Sequence, residues 1–293
     1  MHKQFLDLND FSLDDLERTI GISMELKAQN KFNRILEGKF LGLIFEKSST
    51  RTRVSFEVAM NQLGGKASFL SINDLQLGRG EPVDDTAKVL SSMVDGLVLR
   101  TVEHDTQIEF SNHSSVPVIN GLSNKSHPCQ LLADLMTFYE EKGAIKGKKV
   151  AWFGDFNNVC FSYAQAADLL GFDLWVACPD IISERFIKNF KNVYFTNSIK
   201  EAVQESDLVT TDVWVSMGDE SEANERVEIF SDFQVNEGVL DQAKPDAIFL
   251  HCLPAIRGQE ISSNLLDDSR SRVWQQAENR LHAQKGLLIE LLE

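Results

Sequence analysis

The sequence is short of positive charge, of cysteine and of long apolar stretches, and each shortage narrows what the protein can be. With 29 Lys and Arg against 44 Asp and Glu, its net charge of −15 repels polyanions, so neither nucleic acid nor an anionic membrane is expected as a partner. An anionic small molecule then requires a local gathering of cationic side chains and backbone N–H groups. The four cysteines, Cys129, Cys160, Cys178 and Cys252, stand far apart with no C-x-x-C pair. That spacing argues against a zinc cage or a disulfide framework and fits reduced thiols in cytoplasm. No apolar run is long enough to span a bilayer, and the opening Met1-His2-Lys3-Gln4-Phe5-Leu6-Asp7 lacks the apolar stretch of a signal peptide, so a cytosolic protein is expected. No internal repeat or low-complexity tract is evident.

What is present is an ordinary globular composition, 43% hydrophobic and 25% charged over 293 residues, long enough for two lobes or one large α/β unit. Short apolar runs alternate with longer amphipathic segments, the pattern of strands and crossover helices in a mostly parallel sheet. Phe40 to Phe45 reads as a buried strand, followed by a helix to Leu63 that Gly64-Gly65 ends, and by a strand from Lys66 to Leu70. A second series starts with Val150 to Phe153, turns at Gly154-Asp155-Phe156-Asn157-Asn158, runs as a helix to Leu170 and resumes as a strand from Leu174 to Cys178. Leu208 to Thr211 and Ala247 to His251 are further strand candidates. The Gly-Lys-rich connector from Gly143 to Lys149 marks the lobe boundary, giving domains of residues 1–142 and 147–293. The expected fold is α/β: two lobes, each a mostly parallel sheet flanked by helices, with the active site in the cleft between them.

Chemistry concentrates at the strand ends. Ser49-Thr50-Arg51-Thr52-Arg53 sits at a strand-to-helix junction, where unpaired helix N–H groups, hydroxyls and guanidinium groups together suit a phosphate. Taken alone, the same residues describe a capped helix start with two solvated arginines. The Gly154 to Asn158 turn lacks G-x-G-x-x-G spacing, which disfavours NAD, and by itself is a plain βα turn. His127 before Pro128 reads alone as a loop histidine, but the proline starts a helix and aims His127 and Gln130 from one N-terminus. Cys252 beside His251 suggests a nucleophile–base pair, yet neighbours on a strand point to opposite faces, which argues against a cysteine hydrolase.

Taken in order, S-T-R-T-R, H-P-C-Q, T-D-V-W-V-S-M-G and H-C-L-P resemble the motif set of the ornithine carbamoyltransferases within the aspartate/ornithine carbamoyltransferase family. The likeness extends to Gln76-Leu77-Gly78-Arg79-Gly80-Glu81, Arg100, Asn158 and Glu278-Asn279-Arg280-Leu281-His282. It implies that Ser49, Thr50, Arg51 and Thr52 hold the phosphate of carbamoyl phosphate, and that Arg100, His127 and Thr52 polarise its carbonyl. Gln130 and the Leu253 backbone would take the carbamoyl NH2 group. Arg280 would return from a last helix at about 276–293 that packs back on the first domain. Gln76 would reach a neighbouring subunit's site in a homotrimer. Asn158, Asp212, Ser216 and Met217 would hold the α-amino and α-carboxylate groups of L-ornithine, with Cys252 bordering the carbamoyl phosphate site and its thiol near the δ-amine. At the H-P-x-Q position Cys129 stands where threonine is frequent.

The implied reaction is direct attack of a neutral δ-amine on carbamoyl phosphate to give citrulline, with Arg100, His127, Asp212 and Cys252 as the catalytic set. No metal, organic cofactor or covalent intermediate is called for. A free alkyl amine of pKa near 10.4 is neutral in roughly one molecule per thousand at pH 7, so the site faces a cost of about 4.6 kcal/mol. Closure of the S-M-G loop, hinged at Gly218, is the expected way in which ornithine completes the site. The open alternatives are another amine acceptor (putrescine, aspartate or N-acetylornithine), a Rossmann-type oxidoreductase on lobe pattern alone, and a non-catalytic anion-binding module.

Overall fold

A computed structural model describes residues 3–29, 33–72, 75–182, 190–215 and 223–293. The chain packs as two units, Met1–Met136 with Glu278–Glu293, and Thr137–Ala277. Each holds one sheet whose strand pairs are all parallel. The packing division thus falls at Met136/Thr137, and the C-terminal residues rejoin the first unit.

The first unit contains α1 (Leu13–Gln29), β1 (Phe40–Phe45), α2 (Thr50–Gln62), β2 (Lys66–Ser71), α3 (Val83–Ser91), β3 (Gly96–Arg100), α4 (His104–His113), β4 (Val118–Leu122) and the start of α5 (Pro128–Lys142). Its sheet runs β2-β1-β3-β4. β1 and β3 are buried almost throughout, as strands covered by helices on both faces must be. Ile44, Leu97, Leu99, Phe110 and Val118 form one apolar cluster. Each such fully buried side chain contributes roughly 1.5–3 kcal/mol.

The second unit contains β5 (Lys149–Phe153), α6 (Asn158–Leu170), β6 (Asp173–Ala177), β7 (Val193–Thr196), α7 (Ile199–Val203), β8 (Leu208–Thr211), α8 (Ala223–Phe230), α9 (Glu237–Leu240) and β9 (Ile248–His251), and leads into α10 (Val273–Leu292). The order is β7-β6-β5-β8-β9. Ala151, Phe153, Val209, Trp214, Phe230 and Phe249 belong to its core. Gly171 ends α6 in the left-handed region, at φ 71°, the conformation in which glycine caps helices without strain.

In each sheet the strand order reverses once, between β1 and β3 and between β5 and β8. The chain leaves neighbouring strands in opposite directions at such a point, which opens a crevice beyond their carboxyl ends. Among the described residues no helix is long and apolar enough to cross a membrane.

Candidate functional site

In the first unit the reversal point is lined by the segments after β1 and β3. Ser49 is the N-cap of α2, in extended conformation, and its hydroxyl accepts from the Thr52 N–H at 3.3 Å. That places Thr50, Arg51 and Thr52 in the first helical turn, where backbone N–H groups lack intrahelical acceptors. Arg100 ends β3 and is buried, its carbonyl accepting from Glu46 N–H at 2.8 Å. His127 precedes α5, with its carbonyl accepting from Gln130 N–H at 3.0 Å.

Arg280, from α10, draws these segments together. Its Nη1 donates to Gln130 Oε1 at 2.7 Å and its Nη2 to Thr52 Oγ1 at 3.1 Å. All three side chains are buried. Gln130 in turn donates through Nε2 to Asp134 Oδ1 at 2.8 Å, which fixes its amide so that Oε1 faces Arg280 and keeps a second lone pair. Burial pushes His127 well below its ordinary pKa, and the positive fields of Arg280, Arg100 and Arg51 push it further in the same direction. The imidazole is therefore neutral, able to donate one hydrogen bond and accept another. A concentration of guanidinium groups inside a chain of net charge −15 is what an anion site requires.

Two neighbouring residues find other work. Arg53 stacks on the Phe69 ring at 3.8 Å and pairs with Glu57 at 3.0 Å. Cys129 is buried, donates through Sγ to the Asn120 carbonyl at 3.3 Å, and has its thiol pushed up to about 12 by desolvation. It makes a carbonyl contact of the kind a threonine hydroxyl makes. Gln76 lies exposed at the start of a 3-10 turn, Gln76–Arg79.

In the second unit the segments after β5 and β8 meet. Asn157 caps α6, its Oδ1 accepting from Val159 and Cys160 N–H at 3.0 Å each, while its Nδ2 donates to Asp212 Oδ2 at 2.9 Å. Asn158 is thereby the first residue of the helix. Asp212 follows β8, and its Oδ1 accepts from Val213 N–H at 2.9 Å. Its side chain is partly open but densely surrounded. That desolvation pushes it up to about 6, opposed by the nearby His251, the Val213 N–H and the Asn157 amide, and aided by Glu260. His251 ends β9 fully buried, with Nε2 3.1 Å from Glu260 Oε1, which also accepts from Ile256 N–H at 2.6 Å. Cys252, partly buried, and Leu253 follow directly. Ser216, Met217 and the Gly218 hinge lie outside the described residues.

Residues 3–140 match the model of the aspartate/ornithine carbamoyltransferase carbamoyl-P binding domain, and residues 146–291 that of the Asp/Orn binding domain. The chain belongs to the aspartate/ornithine carbamoyltransferase family. Within that family it is 51% identical to the ornithine carbamoyltransferase of Ruthia magnifica, covering 100% of both chains. It is 52% identical to the anabolic ornithine carbamoyltransferase of Pseudomonas aeruginosa, covering 99% of this chain and 97% of the relative. Among solved structures, the ornithine carbamoyltransferase from Pyrococcus furiosus shares 45% identity with a TM-score of 0.94, covering 99% of this chain and 97% of that one. The anabolic enzyme from Campylobacter jejuni shares 42% with a TM-score of 0.89, covering 98% and 97%.

Sequence reasoning about this family member left out two side chains that the site contains. Asn157 carried a helix-cap signal, adjacent to the chosen Asn158, but its bond to Asp212 joins positions 55 residues apart. Glu260 sits nine residues beyond His251 in irregular chain, so neither a helical nor a strand period marks it.

Proposed function

We propose that this chain transfers the carbamoyl group of carbamoyl phosphate to the δ-amine of L-ornithine, giving citrulline and phosphate. The observation that carries the reading is the buried Thr52–Arg280–Gln130 cluster beside a His127 held neutral by burial and by three guanidinium groups. The acceptor is supported by the ornithine carbamoyltransferases named above, at about half identity over essentially the whole length. Their anabolic members support a role in arginine biosynthesis.

In this reading residues 1–142 bind carbamoyl phosphate and residues 147–293 bind ornithine, with the last helix, 276–293, returning to the first domain. The α2 N-terminus, with Ser49, Thr50, Arg51 and Thr52, takes the phosphate. Arg100, His127 and Thr52 face the carbonyl oxygen, where negative charge develops. The open lone pair of Gln130 Oε1 accepts from the carbamoyl NH2, with the Leu253 carbonyl as a second acceptor. Asp212, Asn158, Ser216 and Met217 hold the amino-acid end of ornithine, and Cys252 approaches the δ-amine. The neutral δ-nitrogen forms a bond to the carbonyl carbon, the carbon–oxygen bond to phosphate breaks, and the nitrogen passes a proton to the departing phosphate. Phosphate leaves against Arg51. Neutral His127 suits this, because a hydrogen-bond donor without full charge stabilises the oxyanion without binding ground-state phosphate more tightly.

The protein acts as a cytoplasmic homotrimer in which Gln76 completes a neighbour's site. The exposed position of Gln76 and the absence of a disulfide at any of the four cysteines support these assignments. Parallel product assays with carbamoyl phosphate and ornithine, putrescine, aspartate or N-acetylornithine test the reading. Citrulline should be the dominant product, and preferential carbamoylation of any other amine would overturn the acceptor assignment.

A further inference from the structure

Arg226, on α8, joins the turns after β5 and β8, which carry residues proposed to meet a substrate. Its Nε donates to the Trp214 carbonyl at 2.7 Å, and its Nη2 donates to Asp155 Oδ2. Arg226 and Asp155 are each only 16% exposed, so the pair is shielded from water and from salt. Asp155 lies two residues before Asn157, in the turn after β5. Trp214 lies two residues beyond Asp212, in the turn after β8.

The junction is packed as well as bonded. The Trp214 ring stacks on Phe230, with centroids 6.4 Å apart and planes at 28°, and the Arg226 guanidinium lies 5.5 Å from that same Phe230 ring. On its other side the indole faces Gly154, where an added Cβ would stand 3.1 Å from Trp214 Cδ1 and 3.2 Å from Nε1. Gly154 also has φ +100°, so a side chain is excluded there both by backbone conformation and by the indole. Trp152 Nε1 donates to the Asp155 carbonyl at 2.9 Å. The turn after β5 is thus fixed from two sides, by Trp152 and by Arg226. What this frame holds constant is the separation across which Asn157 Nδ2 donates to Asp212 Oδ2.

We infer that Arg226 is a positioning residue for the amino-acid end of the acceptor: by fastening the Asp155 turn to the Trp214 carbonyl it sets the spacing of Asn158 and Asp212. The inference rests on the assignment of ornithine as acceptor. A guanidinium suits the task because its planar fork presents Nε and Nη2 to two acceptors at once. A lysine ammonium is a single point charge and loses that fixed geometry. A displacement of about 1 Å at a substrate-holding group costs on the order of 100-fold in rate.

The test uses the full-length protein with three single substitutions, Arg226→Lys, Arg226→Gln and Asp155→Asn, and the Arg226→Gln/Asp155→Asn double variant. The readouts are KM for ornithine, kcat, carbamoyl phosphate affinity by calorimetry, and the inhibition constant of 2-aminopentanoate, which is ornithine without its δ-amine. The expected result is a rise of about tenfold or more in both KM and the inhibition constant, with carbamoyl phosphate affinity within about twofold of the parent. The double variant should be no worse than the worse single, since both substitutions break one contact. Should Arg226→Gln fail to fold, Arg226→Lys and Asp155→Asn, which keep a donor or an acceptor in place, carry the test. Folded variants with unchanged KM and inhibition constant, or with carbamoyl phosphate affinity equally damaged, would overturn the positioning role while citrulline formation by the parent leaves the acceptor reading intact. A parent enzyme that makes no citrulline would overturn the acceptor reading, and the positioning role with it.

Discussion

Asp212 offers a prediction whose sign and pH window both follow from its surroundings. Desolvation pushes the carboxyl up to about 6 from its ordinary 3.8, so in the free enzyme it is about nine-tenths ionised at pH 7 and about one-tenth at pH 5. Only the ionised form attracts an ammonium group. The neutral δ-amine, with a lysine-like pKa near 10.4, adds its own dependence across the same range. At saturating carbamoyl phosphate, log(kcat/KM) for ornithine should therefore rise with a slope of about 2 below pH 6 and about 1 above it. Asp212→Asn removes the lower titration and leaves a slope of about 1 throughout. It should also lower kcat/KM at pH 7 by about 30-fold to several thousandfold, the range of about 2 to 5 kcal/mol for a truncated charge pair. A bend near pH 6 that survives in Asp212→Asn would refute the assignment. Stability supplies a cross-check. A carboxyl whose folded pKa lies above its unfolded value contributes stability below about pH 3.8 and loses it as pH rises through about 6. The Tm of Asp212→Asn relative to the parent should accordingly increase between pH 4 and pH 7.5, whatever its offset from the lost Asn157 bond.

Arg280→Met should weaken carbamoyl phosphate binding by about 10- to 150-fold, because one charge-assisted contact to the anion, worth roughly 1.5–3 kcal/mol, is lost while Gln130 and Thr52 lose the side chain that holds them; unchanged affinity by calorimetry would sink that role. By NMR in the free enzyme His127 should titrate well below the ordinary imidazole range, and its pKa should rise in Arg280→Met, since Arg280 exerts the largest charge effect on it. A His127 resonance titrating near 6.5 in the parent would contradict this. Mixing an Arg51→Ala protein with a Gln76→Ala protein and letting subunits exchange should restore activity, because some hybrid sites then hold both residues. Activity that stays at the parental level after confirmed exchange would show that each site is built from one chain.

The parts of the fold that were legible in the sequence are those where one local signal suffices. Phe40 to Phe45 is an apolar run and is β1, and the Ser49 cap and Gly64-Gly65 bracket a helix that the structure places at Thr50–Gln62. The β5 turn and α6 ending at Gly171 were equally marked. β7, by contrast, is short, with only Val193 buried, and offers no apolar run to read. The same division runs through the site. Thr52, His127 and Gln130 stand at helix starts where cap chemistry flags them, whereas Arg280 reaches Thr52 across 228 positions and was found only by resemblance. The Glu260 carboxylate against His251, and Arg226 against Asp155, are meetings of irregular chain or of distant elements, for which no periodicity exists.

The first unit is closed by residues that follow the second unit in sequence. Lys285 donates to Gln62 at 3.0 Å, Lys27 to Asn279 at 2.7 Å, and Glu290 receives both Lys3, at 2.8 Å, and Arg18, so the chain's tail is fastened to helices near its head. Domains generally fold as units while synthesis proceeds from the N-terminus, but here 136 residues must wait for sixteen others that emerge after the whole second unit. During translation the second unit can complete itself while the first still lacks residues 278–293 and, with them, Arg280. A chain that stops before residue 278 would for that reason hold the second unit but lack Arg280, and with it the Thr52–Arg280–Gln130 cluster on which the proposed carbamoyl phosphate site depends.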